Sequence, residues 1–92
     1  MAIGIVERIN EKRGQFCLRC DDGSYRYFRC PPQELPRAGD TLSCPEDRPA
    51  DRRFCLVDVT DNNRHVHAFS SVYHLSRDIA LRLVDGDDLV SP

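Results

Sequence analysis

Five cysteines, three histidines and a run of arginines are the side chains of this 92-residue chain with the most chemical potential. Cys17-Leu18-Arg19-Cys20 has the C-x-x-C spacing of metal ligands and redox dithiols. A structural zinc site needs a second such pair or two suitably spaced histidines, and neither follows. On a strand, residues i and i+3 point to opposite faces, so these two thiols cannot grip one ion without a local bend. A redox pair also belongs at a helix N-terminus, and this one lies mid-strand. His65 and His67 stand two apart on a β-like stretch and share a face, which is half of a metal site. His74 is separated from them by a loop, so the pair reads as a surface feature and no metal or other cofactor is assigned. Ser70 and Ser71 lie near His67 and His74 in sequence, without nucleophile–base geometry. Asp58, Asp61, Asp85, Asp87 and Asp88 fall mostly on turns or the tail, and there is no phosphate-binding glycine loop. No catalytic residue is assigned, and the chain does not read as an enzyme.

The arginines are more informative. The net charge is −2, which excludes a strongly basic nucleic-acid glove. From Arg8 to Arg29, however, six basic residues (Arg8, Lys12, Arg13, Arg19, Arg26, Arg29) outnumber three acidic ones. Guanidinium groups pair with phosphates and stack on bases.

The elements that must position these groups are mostly strands. Residues 2–9, 15–20, 25–30, 41–44, 54–60 and 64–69 are β-branched, aromatic or alternating. The segment after Cys30 carries Pro31, Pro32 and Pro36 and makes a connecting loop. Ser76 is a good N-cap and Gly86 a good stop, which predicts a helix over about 76–84 with Ile79, Ala80, Leu83 and Val84 on one face. The fold class is therefore mainly β: a small five- or six-stranded OB-like barrel, or alternatively an SH3-like one, with a short C-terminal α-helix. Residues 1–69 form the barrel and 70–92 the extension. No apolar run is long enough to span a membrane, no export signal is visible, and free thiols fit a reducing compartment, so a cytoplasmic location is expected.

A two-residue turn centred on Asp22-Gly23 sets Cys17 opposite Phe28 and Gln15 opposite Cys30. Gln15, Cys17, Arg19, Arg26, Phe28 and Cys30 then share an outer face. Phe16, Leu18, Tyr25 and Tyr27 face the core. Arg29 has the core parity, which calls for a bulge or strand end there.

Gly4-Ile5-Val6, Asn10, Arg13-Gly14, Asp21-Asp22-Gly23-Ser24 and Phe28 together resemble the opening of a bacterial cold-shock domain. Gly39-Asp40 and Leu56 to Thr60 resemble its fourth and fifth strands, so the likeness covers roughly residues 3–60. Residues 61–92 have no counterpart in a minimal cold-shock domain. The resemblance implies an OB barrel that binds single-stranded RNA or DNA through rings on its second and third strands. Here the stacking positions hold Arg8, Gln15, Cys17 and Cys30, and Phe28 alone keeps its ring. At about 1 kcal/mol per lost ring, affinity falls about 1,000-fold. The expectation is weak binding through Arg8, Lys12, Arg13, Gln15, Cys17, Arg19, Arg26 and Phe28. The alternative is a non-catalytic protein-interaction or accessory barrel that has lost nucleic-acid binding and meets its partner through the C-terminal helix.

Overall fold

The computed structural model describes residues 2–45, 49–70 and 74–86. Six strands form in chain order: β1 (Ala2–Asn10), β2 (Gln15–Cys20), β3 (Tyr25–Arg29), β4 (Thr41–Cys44), β5 (Arg53–Asp58) and β6 (Arg64–Phe69). They close into an antiparallel barrel in the order β1-β2-β3-β6-β5-β4. An even number of strands lets direction alternate all the way round, so no neighbouring pair need be parallel. A helix, α1 (Arg77–Asp85), follows.

The barrel is filled from alternate positions on its strands. Val6, Phe16, Leu18, Phe28, Leu42, Cys44, Phe54, Leu56, Val66 and Ala68 form one buried cluster. Phe16 and Phe28 stack at 5.3 Å between ring centroids. Phe54 meets Phe28 edge-on at 5.7 Å. The joints of the ring are unequal. β5 and β6 are paired along their whole length, from Arg53 with Phe69 to Asp58 with Arg64. β3 and β6 meet at one residue pair, Arg29 with Phe69.

Two sequence expectations are corrected here. Residues 54–60 are not strand throughout: β5 ends at Asp58, whose carboxylate accepts from the Asp61 N–H and caps a 3-10 turn over Val59–Asp61. The β2–β3 register is Phe16 with Phe28, Cys17 with Tyr27 and Arg19 with Tyr25. The cause is the turn. The Cys20 N–H donates to Ser24 O, leaving a three-residue loop, Asp21 to Gly23. Gly23 takes φ +87° in that loop, and its Asp22 carboxylate accepts from the N–H and hydroxyl of Ser24. One extra loop residue shifts the register by one and moves every side chain of β3 to the opposite face. Phe28 is therefore in the core, and Tyr25 and Tyr27 are on the outside. Arg29, which fitted the core so poorly, points out with no bulge of its own. The bulge lies in β1, between Val6 and Arg8.

α1 covers the outer face of the β2–β3 hairpin. Cys17, Tyr25, Ala80 and Val84 are buried together, with Tyr27, Leu75 and Leu81 packed around them. The Ser76 hydroxyl accepts from the Ile79 N–H at the start of the helix, and Gly86 ends it with φ +85°. Polar contacts add to the seat. Arg8 pairs with Asp85 at 2.8 Å, Arg77 pairs with Glu7 at 2.7 Å, and the Asn10 side chain donates to Val84 O at 2.9 Å.

Candidate nucleic-acid interface

The structure does not assemble the expected hairpin face. Phe28 is fully buried within the barrel. Arg26 also has inward parity: its guanidinium lies 5.7 Å from the Phe54 ring centroid and donates to Cys44 Sγ. Gln15 and Cys17 do lie on the outer side, but beneath the helix, 4 % and 0 % exposed. With its amide nitrogen turned toward the end of the helix, Gln15 is satisfied there: the nitrogen donates to Leu83 O at 2.9 Å and the oxygen accepts from the Tyr27 hydroxyl at 2.9 Å. Arg8 is exposed but tied to Asp85. Arg19 is exposed, with Glu7 at 4.0 Å. Lys12 and Arg13 sit exposed on the β1–β2 turn. The eight candidates are thus divided among the core (Arg26, Phe28), the helix-covered face (Gln15, Cys17), the β1–β2 turn (Lys12, Arg13) and exposed, ion-paired strand positions (Arg8, Arg19).

A different set of groups does come together, where β3, β6 and β5 lie side by side. Phe69 has Arg29 as its neighbour on one side and Arg53 on the other. Adjacent strands are about 4.8 Å apart, so this row sets the Phe69 side chain between those of Arg29 and Arg53 on one face. Phe69 is 39 % exposed, and it is the one aromatic among the large apolar side chains that stand exposed among the described residues. Arg29 and Arg53 are both exposed, and neither makes an ion pair among the described residues. In the next row Cys55 is paired with His67, and His65 follows opposite Val57. Arg29, Arg53, Cys55, His67 and Phe69, with Pro31, Phe54 and Ala68, line an open groove of about 440 Å³.

The β3–β4 connection forms one wall of the groove. Its 3-10 turn, Pro32–Glu34, carries Glu34, whose carboxylate meets His67 Nδ1 at 3.0 Å and accepts from the His67 N–H at 3.3 Å. These two hydrogen bonds hold the Glu34 carboxyl below its ordinary range. His65 Nδ1 stands 3.6 Å from Cys55 Sγ. As expected from their parity, His65 and His67 share a face, with ring centroids 6.5 Å apart. No group of three donors converges as a metal site among the described residues.

The other thiols are placed for packing. Burial pushes Cys17 and Cys30 up to about 11, and it raises Cys20 and Cys44 as well. Thiols held in that state are poor nucleophiles at neutral pH. Cys17 and Cys20 stand on opposite faces of β2, as the spacing required.

The signal for the Phe69 row was present in the alternation Arg64-His65-Val66-His67-Ala68-Phe69, which sends His65, His67 and Phe69 to one side. What the sequence lacked was the strand order, which alone brings Arg29 and Arg53 alongside. Among the described residues no helix is long and apolar enough to cross a membrane. Comparison of the chain with known protein families, with characterised proteins and with solved structures finds no match.

Proposed function

We propose that this barrel binds single-stranded nucleic acid, RNA or DNA, weakly and without catalysis, and that it does so on the β3–β6–β5 face rather than on the hairpin. The observation that carries the reading is the row Arg29–Phe69–Arg53: a ring free to stack on an unpaired base, with a cation on each side for the flanking phosphates. Stacking tolerates any base, so the binding is expected to have little sequence preference. On this reading the chain is a cytoplasmic relative of cold-shock domains. Its sixth strand lies beyond the resembling residues and supplies the ring, while α1 covers the hairpin face those domains would use.

The test is a fluorescence-polarisation titration of a labelled oligothymidine and an oligouridine at two salt concentrations. Two phosphate contacts predict a slope of about −1.4 in log K against log salt. Phe69→Ala is expected to weaken binding about 5- to 150-fold, the equivalent of about 1–3 kcal/mol. Arg53→Ala is expected to make the slope shallower by about 0.7. Absence of binding at low salt, or a Phe69→Ala variant that binds as tightly as the parent, sinks the proposal. The second reading, a protein-interaction barrel, is favoured by Ile3 and Ile5, 49 % and 39 % exposed on β1, and it becomes the better one if no oligonucleotide binds.

A further inference from the structure

Asp58 closes β5 and is the one charged side chain among the described residues that is completely buried. Its Oδ1 accepts from the Asp61 N–H at 3.2 Å. Its Oδ2 meets no hydrogen-bond donor. Facing it is the Asp40 carboxyl, from the loop before β4, within hydrogen-bonding reach. Arg64 Nη2, on β6, is 3.9 Å from Oδ2, but that guanidinium is already engaged. Its Nε donates to Asp61 Oδ2 at 2.9 Å, and its Nη1 and Nη2 donate to Glu34 O and Leu35 O. Arg37 offers Asp40 its backbone N–H, at 3.2 Å. Asp40, Asp61 and Arg64 are thus the charged residues arrayed around the Asp58 carboxyl.

The backbone that carries the two carboxyls is pinned on both sides. Asp40 O accepts from the Val6 N–H at 2.9 Å, and the neighbouring Gly39 N–H donates to Val6 O at 2.7 Å. Thr41 N–H donates to the Thr60 hydroxyl at 2.9 Å, and Leu42 is the register partner of Asp58. Two anions held side by side repel, whereas a carboxylic acid beside a carboxylate makes a strong hydrogen bond. We propose that Asp40 and Asp58 hold one proton between them, and that its loss loosens the clasp joining the β3–β4 connection to the Val59–Asp61 turn.

Burial, followed by the hydrogen bond and charge of Asp40, pushes the Asp58 carboxyl up to about 6. A carboxyl whose ionisation is raised in the fold stabilises it fully below the ordinary aspartate range near pH 4. That contribution is lost as pH climbs through 6.

The experiment follows urea unfolding of the full chain from pH 4 to pH 8, together with the ¹³C carboxyl shifts of its aspartates. The unfolding constant of the parent is expected to rise roughly 100-fold more over this interval than that of Asp58→Asn. The asparagine amide donates to Asp40 as the shared proton does, and its oxygen still accepts from Asp61. Asp40→Asn is expected to flatten the profile in the same way, and it decides the matter together with the carboxyl titration if Asp58→Asn does not fold. Two aspartates that both ionise below about pH 4.5, or variants that keep the parent's pH profile, overturn the proposal.

Discussion

Phe28→Ala is expected to cost about 3–5 kcal/mol of folding stability, read as a lower urea midpoint with an unchanged m-value. The ring is fully buried. It stacks on Phe16 and receives Phe54 edge-on, so its removal takes away both transfer free energy and two aromatic contacts at once. Small domains have about 5–15 kcal/mol in hand, and this loss brings the chain close to unfolding at room temperature. The measurement also decides the β2–β3 register. A ring outside the barrel would lack the Phe16 and Phe54 contacts and give a smaller loss.

Gly14→Ala is expected to cost about 2–4 kcal/mol, and Gly23→Ala about 1 kcal/mol, although both glycines have positive φ. The difference lies in what surrounds them. A Cβ at Gly14 would stand 2.3 Å from Cys30 O, a backbone atom, whereas a Cβ at Gly23 meets nothing within 4 Å. Gly14 O also accepts from the Cys30 N–H at 2.8 Å. Displacing that segment loses a buried hydrogen bond, worth about 1 kcal/mol, on top of the left-handed backbone strain. Thermal or urea unfolding of the two variants side by side checks the ranking. Equal losses would mean that the β1–β2 turn is not pinned against the end of β3.

Much of the fold was legible because local chemistry dictates it. The β-branched and aromatic runs became strands, Ser76 capped the helix and Gly86 ended it. The facing of β3 was not legible. Asp-Asp-Gly-Ser accommodates a two-residue or a three-residue loop, since Gly23 tolerates positive φ in either, and the choice inverts the strand. Burial of Phe16 against Phe28 is what settles it, and that is a tertiary effect. The destination of the helix was likewise hidden: its apolar stripe is plain in Ala80 and Val84, but which face it would cover depends on Tyr25 and Tyr27 turning outward. The Phe69 row is built from residues 29, 53 and 69, far apart in the chain, and becomes a surface only once the ring of strands has closed.

That ring is fastened unevenly. Between β3 and β6 a single rung, Arg29 with Phe69, completes the circle, helped by the Ser70 hydroxyl donating to Tyr27 O at 2.6 Å. A hoop under strain parts at its narrowest weld. Amide exchange at this joint should outpace that in the β5–β6 ladder, and parting it would turn a closed cylinder into an open ribbon with two raw, pairing-competent margins. Such margins recruit further strands, so the gap between β3 and β6 is where self-association under stress would begin.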